Sequence, residues 1–190
     1  MRSIDLTPIR DMDAGLCTGW VYNPISMVIR ARTAGILNTF NTDIATHAFF
    51  FVTVAGRFMI AEMEADGLKL NPADEYTHKN LIDDWPIKVI RHPVFNDDAI
   101  RAKAAAQLVS DCHESIKYDY AGLLRFIFPE LQDQDPKEFY CSELIKHYIR
   151  LYGGAVIDPI DGAEYQIKDE VCPYGLQKSP SFSTVETWCA

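Results

Sequence analysis

The sequence predicts an α+β fold in which an antiparallel sheet packs against helices. The apolar residues 44–54 are followed by a short turn and by a second apolar segment, residues 58–64, which is typical of a β-hairpin. Two later segments, residues 96–112 and 140–153, repeat apolar residues at steps of three and four, the spacing of one helix face. Since each element has an apolar face, we expect the sheet and the helices to share one core.

Composition and charge restrict the classes of function. The chain has 190 residues, 48% of them hydrophobic and 24% charged, as in an ordinary globular domain. The net charge of −9 comes without a basic stripe, so no nucleic-acid partner is expected. There is no run of eighteen apolar residues and no signal-peptide pattern at the start. The chain as encoded is therefore expected to be cytoplasmic and to lack an integral membrane segment, and no oligomeric state is predicted.

The cysteine and histidine pattern indicates free thiols. The five cysteines are widely spaced and include no Cys-x-x-Cys pair, which favours reduced thiols in a reducing compartment. They are Cys17, Cys112, Cys141, Cys172 and Cys189. No two histidines have ligand spacing on one element, so neither a metal nor another cofactor is expected.

The first predicted elements are a helix and a hairpin. Asn23 is a typical N-cap and Pro24 a typical first helical residue, which predicts a short helix from about Pro24 to Thr33. Residues 44–54 are β-branched and aromatic, as in a strand buried on both faces. A turn at Ala55 and Gly56 returns the chain into the second strand, residues 58–64.

The hairpin register places a histidine beside carboxylates. If Ala55 and Gly56 are the two turn residues, paired residues have numbers that sum to 111. His47 then lies opposite Glu64, with Glu62 on the diagonal, and all three side chains project from the same face. Glu64 is closer to the next turn and is expected to be the more solvated carboxylate.

The middle of the chain predicts a loop, a strand and a helix. Residues 71–80 are polar and predict a loop, and the alternation of apolar and polar residues after Pro86 predicts a strand exposed on one face. Asn96 is expected to cap the next helix, with Asp97 and Asp98 in its first turn. The expected buried stripe of that helix is Ile100, Ala104, Gln107, Leu108 and Cys112.

A cysteine stands at or near the start of a predicted helix. Residues 118–128 predict a short helix stopped by a proline, and the apolar periodicity then resumes after Cys141. A helix N-terminus favours a thiolate, whereas burial as a small hydrophobe is the alternative for a free cysteine. Residues 135–138 match a capping box that would start the helix earlier. We predict that these residues form a separate turn and that the helix begins near Tyr140.

Three residues could form a catalytic set. Cysteine catalysis needs a thiolate, a base and a group that orients the base. Cys141, His47 and Glu62 could supply these groups, with Glu64 as the alternative orienting residue. A structural histidine is the alternative reading of His47.

These residues also carry a resemblance to a known family. The matching stretches, in chain order, are Thr46-His47-Ala48-Phe49, Ala61-Glu62-Met63, Tyr118-Asp119-Tyr120 and Phe139-Tyr140-Cys141-Ser142-Glu143-Leu144. Their order resembles the circularly permuted NlpC-type cysteine hydrolases, the YiiX/YebB-like permuted papain-fold amidases, in which the histidine strand precedes the nucleophile helix. The resemblance covers about Leu16 to Tyr152. It implies one permuted papain-like domain over residues 1–190, with a catalytic core at about residues 12–160 and a C-terminal tail of short elements.

The resemblance implies a role for each matching residue. Cys141 is the nucleophile, His47 the base and Glu62 the residue that orients the imidazole. The oxyanion or substrate region is lined by Tyr118, Tyr140 and Ser142. One departure is that the family's Gly-Asp pair near the start of the domain has no clear counterpart around Asp13.

The implied activity is hydrolysis of an amide bond through a thioester acyl-enzyme. The expected substrate is a peptide or an amide-linked conjugate, at the family level a cell-wall peptide. An enzyme without a leader would reach such a peptide by cell lysis or a phage-like route. The alternatives are an acyltransferase of the same fold with a lipid or amine acceptor, as in the lecithin:retinol acyltransferase-like relatives, and a non-catalytic binding or structural module.

Overall fold

The computed structural model describes residues 6–18, 24–34, 37, 40–41, 43–75, 87–120, 122, 138–153 and 172–188. The strands are β1 Ala14–Cys17, β2 His47–Val54, β3 Arg57–Glu64, β4 Gly67–Pro72, β5 Ile87–Arg91, β6 Lys117–Tyr118, β7 Glu138–Phe139 and β8 Ser183–Trp188. The helices are α1 Pro24–Ala34, α2 Asp98–Asp111, α3 Cys141–Gly153 and α4 Pro173–Lys178, with a 3-10 helix at Pro93–Asn96.

Six strands form one antiparallel sheet in the order β4-β3-β2-β1-β5-β8. Phe50 and Val52 of β2 pack in one buried cluster with Leu144 and Tyr148 of α3, whereas Phe49 lies in a second cluster on the opposite face. Alternate side chains of a strand point to opposite faces, so a strand that is apolar throughout is buried on both. The predicted α+β arrangement of an antiparallel sheet against a helix is confirmed.

The hairpin has the predicted register. The ladder runs from Val54 opposite Arg57 to Phe49 opposite Glu62. The turn residue Ala55 has a φ of 50° and the next residue, Gly56, a φ of 78°, as a two-residue hairpin turn of the primed type requires. The strand begins at His47, three residues later than its apolar run.

Three strands of the sheet, β1, β4 and β8, were missing from the sequence prediction. β1 pairs with both β2 and β5 at the centre of the sheet. Its Gly15 is required because an added Cβ would lie 2.1 Å from the Phe49 ring. β4 corrects the loop predicted to begin at Asn71, since Asn71 and Pro72 are the last two residues of that strand. A proline is tolerated there because β4 is an edge strand.

The start and the buried face of α2 also differ from the prediction. Asp97 is the N-cap, and its carboxylate accepts hydrogen bonds from the next turn, while Asn96 ends the preceding 3-10 helix. Gln107 is exposed and its amide donates to Asp111 at 2.6 Å, so it does not belong to the stripe. The buried residues of α2 are Ala104, Ala105 and Leu108, with Ile100 and Cys112 partly buried.

Tyr118, predicted to begin a helix, lies in β6 instead, paired in parallel with Phe139 of β7. Residues 120 and 122 of that predicted helix are helical, whereas residues 121 and 123–128 lie outside the described residues, as does the predicted N-cap Asn23 of α1. The tail elements α4 and β8 are short, as expected, and β8 extends the sheet beside β5. No helix in the described ranges combines the length and the apolar character needed to cross a bilayer.

A buried ion pair joins the start of β1 to the end of β5, and we predict that Asp13→Asn destabilises the protein by about 3 kcal/mol. Arg91 donates from Nε and Nη2 to the two Asp13 carboxylate oxygens, each at 2.6 Å, and the Asp13 side chain is 0% exposed. The substitution leaves the largely buried guanidinium without its counter-charge. Urea unfolding gives the change in the free energy of unfolding.

The matched control is Asp66→Asn, which breaks the exposed ion pair between Asp66 and Lys69. An exposed pair contributes little, so this variant is expected to unfold near the wild-type urea midpoint. Equal midpoints for the two variants would contradict a structural role for the buried pair.

Candidate active site

Helix α3 begins at Cys141. The first intrahelical bond is donated by the Leu144 N–H to the Tyr140 carbonyl at 3.2 Å, so Tyr140 is the N-cap residue. The Glu143 carboxylate accepts from the Tyr140 N–H at 3.3 Å, which is one half of a capping box. Since β7 occupies residues 138–139, the prediction that the helix begins near Tyr140 is confirmed. The thiol therefore stands at the first helical residue, where the helix dipole favours a negative charge.

His47 and Glu62 are in direct contact. The Nε2 atom of His47 lies 2.6 Å from Oε2 of Glu62, and the side chains are 24% and 6% exposed. This is the diagonal pair predicted from the hairpin register. Glu64 is exposed, and its carboxylate accepts from Asn71. The structure therefore brings Glu62 to the imidazole, and the more solvated carboxylate is Glu64, as expected.

The Cys141 side chain lies near enough to the His47 ring to raise the pKa of the imidazole. Burial by itself lowers the pKa of His47, but the hydrogen bonds and negative charges of Cys141 and Glu62 together raise that pKa well above its usual value. The site therefore favours a protonated imidazole.

The residues expected to line the site differ in exposure. Tyr118 is partly buried and lies close to Cys141. The pKa of the Tyr118 phenol is raised, mainly by burial and to a smaller extent by the negative charge of Cys141. Tyr140 and Ser142 are fully buried, at 1% and 0% exposure. Tyr140 packs in a small cluster with Ile29 and Cys172. Of Tyr118, Tyr140 and Ser142, only Tyr118 has a side chain that is partly exposed to solvent.

Sequence reasoning missed two residues of the site. Asn71 donates to the carboxylates of Glu62 and Glu64 from an edge strand that the sequence analysis placed in a loop. Glu143 fixes the start of α3, and a glutamate three residues after the N-cap was a detectable sign of this. Across the described residues, no group of three or more His, Cys, Asp or Glu side chains is arranged to hold a metal ion.

Comparisons with known proteins give a similarity of fold. No family model matches the chain, and no curated protein matches it. Among solved structures, the crystal structure described as the metalloprotein YiiX from Escherichia coli O157:H7 superposes with a TM-score of 0.65 at 14% sequence identity. The match covers 95% of this chain and 98% of that chain. The protein therefore has a YiiX-like mixed α+β fold.

Proposed function

We propose that the protein is a cysteine hydrolase that cleaves an amide bond through a thioester acyl-enzyme. The observation that carries this proposal is the carboxylate of Glu62 at 2.6 Å from the His47 imidazole, together with a thiol at the start of a helix that is near enough to raise the pKa of that imidazole. Cys141 is the nucleophile, His47 the base and acid, and Glu62 the orienting residue. These are the three groups that nucleophilic cysteine catalysis needs.

The raised pKa of His47 suits this chemistry, because it favours the protonated imidazole. An imidazolium beside Cys141 stabilises the thiolate, whose sulfur attacks the substrate carbonyl carbon and forms the C–S bond. The Cys141 N–H at the helix start donates a hydrogen bond to the oxyanion, with the Tyr118 hydroxyl as the second donor. His47 then gives its proton to the amide nitrogen as the C–N bond breaks. It next takes a proton from water, which attacks the thioester and releases the acid and the thiolate.

Chain order supports the permuted papain-like arrangement as part of this proposal. The histidine strand β2 precedes the cysteine helix α3 in the chain, and α3 packs on the sheet that contains β2. The same order holds in the family that the sequence resembles. On this proposal residues 1–190 form one domain, and the substrate is a peptide or an amide-linked conjugate such as a cell-wall peptide.

Selective alkylation tests the nucleophile. At neutral pH, iodoacetamide is expected to label Cys141 at least about tenfold faster than the other cysteines, because only the thiolate reacts. Burial raises the pKa of Cys112 to about 12, with a contribution from Asp111, and burial raises that of Cys172 to about 11. Peptide mapping by mass spectrometry at successive times gives the five rates. His47→Gln should remove the preference, and equal labelling of all five cysteines would contradict the proposal.

A metal control accompanies this test, because YiiX is described as a metalloprotein. The proposed steps use a thiol, an imidazole and water, so dialysis against EDTA is expected to leave both the labelling preference and turnover unchanged. Loss of turnover on chelation that added Zn²⁺ restores would overturn the mechanism.

A further inference from the structure

The Asn71 carboxamide bridges the two carboxylates on the face that carries His47. Its Nδ2 atom lies 2.8 Å from Oε1 of Glu62 and 2.7 Å from Oε1 of Glu64. An ionised carboxylate only accepts hydrogen bonds, so the nitrogen of Asn71, and not its oxygen, must face them. Each of the two amide hydrogens is therefore donated to one carboxylate.

The sheet explains why this residue reaches Glu62. Asn71 stands opposite Ile60 in the β3-β4 ladder, and Ile60 and Glu62 project from the same face because they are two residues apart. Asn71 is thus a diagonal neighbour of Glu62. The edge position of β4 leaves the end of its side chain partly exposed.

The Glu62 carboxylate is held from two sides. Its Oε2 atom contacts His47 and its Oε1 atom accepts from Asn71. A carboxylate fixed at both oxygens has less freedom to turn, so its bond to the imidazole is better defined. We propose that Asn71 is a positioning residue for the reaction, acting through Glu62 on the His47 ring, an inference that rests on the proposed function.

The neutral character of the amide matters for this role. Lys69 is the residue directly opposite Glu62, but its ammonium pairs with Asp66 at 3.0 Å. A cation bound to Oε1 would partly neutralise Glu62 and so weaken the rise in the His47 pKa that Glu62 causes. An amide donor holds the same oxygen without adding a positive charge. The amide also separates Glu62 from Glu64, whose like charges on one face repel.

Asn71→Ala is expected to lower the His47 pKa toward its ordinary value and to reduce kcat about tenfold with little change in KM. The Glu62 side chain then turns more freely and its bond to the ring is formed for less of the time. Ring NMR signals, assigned with His47→Gln, give the His47 pKa without any substrate. Turnover of an acyl p-nitrophenyl ester gives kcat and KM.

Two further variants control for a general loss of structure. Asn71→Gln keeps the carboxamide and is expected to recover part of the kcat and of the raised His47 pKa. Lys69→Gln changes a neighbouring side chain of the same strand and should leave both quantities at wild-type values. If Asn71→Ala unfolds, Asn71→Thr takes its place: its hydroxyl has one hydrogen and can serve only one of the two carboxylates, so the His47 pKa and kcat should fall below the wild-type values, and unchanged values would overturn the inference.

The titration separates failure of this inference from failure of the proposed function. An ordinary His47 pKa in the wild-type protein would overturn both. A raised pKa in the wild type that is unchanged or higher in Asn71→Ala would overturn the inference alone. An effect of equal size in Lys69→Gln would also overturn it, because that effect belongs to the strand and not to the amide.

Discussion

Replacement of Cys141 by alanine is expected to reduce turnover by at least about 10⁴-fold while the protein remains folded. Removal of the sulfur removes the atom that forms the thioester, and no other group in the proposed mechanism can take its place. The wild type should show a burst of p-nitrophenol and an acyl adduct on the peptide that contains Cys141. Mass spectrometry of the quenched protein detects the adduct, and circular dichroism checks the fold.

The matched control for this variant is Cys172→Ala. Cys172 is also a buried cysteine, and the charge of Cys141 contributes to its raised pKa, so the two residues are near each other. Its sulfur accepts a hydrogen bond from the Gly175 N–H at 3.2 Å, so some stability is lost, but turnover should stay near the wild-type value. Equal loss of turnover in both variants would contradict a nucleophilic role for Cys141.

The reaction products distinguish the two acyl-enzyme chemistries. If water is the acceptor, as proposed, the acid forms at the same rate with or without an added amine. An acyltransferase would instead pass the acyl group to the amine, and the amide would accumulate. Both outcomes keep Cys141 as the nucleophile, so this comparison tests the second step of the reaction only.

The parts of the site that follow from local geometry could be predicted from the sequence. A two-residue turn at Ala55 and Gly56 fixes the hairpin register, and the register fixes the diagonal contact of His47 with Glu62. The start of α3 was predictable for a similar reason, since the apolar periodicity begins at Cys141 and Glu143 lies in its first turn.

The parts that depend on distant pairing could not be predicted. β1 is four residues long and is defined by its neighbours β2 and β5 rather than by its own residues. The two-residue strand containing Tyr118 exists because β7 pairs with it from more than fifteen residues further along the chain. β4 has polar residues and an edge position, so Asn71 was read as loop. For α2, Asn96 and Asp97 are both good caps, and Asp97 is the N-cap because Asn96 belongs to the preceding 3-10 helix.

Glu62→Gln is expected to lower kcat by about 10² to 10⁴-fold, because replacement of the carboxylate that orients a catalytic histidine reduces kcat by up to about this factor. The substitution keeps the shape but removes the charge. It also creates a conflict of hydrogen bonds, because both His47 and Asn71 donate to this side chain. The glutamine nitrogen must face one of these two donors, so one of the two bonds is lost.

The pH dependence of this variant has a definite sign. Cys141 and Glu62 raise the His47 pKa against the opposing effect of burial, so loss of Glu62 lowers that pKa. The imidazolium that protonates the leaving amine is then lost at a lower pH than in the wild type. The alkaline limb of kcat/KM should therefore move to lower pH. A profile from pH 5 to pH 11 for both proteins measures the movement, and an unmoved or upward-moved limb would refute it.

The free energy of unfolding should also depend on pH through the raised pKa of His47. A group whose pKa is higher in the folded state stabilises the fold fully below its unfolded value, about 6.5 for histidine, and this contribution is lost as the pH rises through the folded pKa. The difference in unfolding free energy between wild type and Glu62→Gln should therefore be larger at about pH 6 than above the folded pKa of His47. The control is Glu64→Gln, which removes the exposed neighbouring carboxylate. If Glu64→Gln instead moves the limb and Glu62→Gln does not, Glu64 is the orienting residue, and the 2.6 Å contact of His47 with Glu62 has no part in the chemistry.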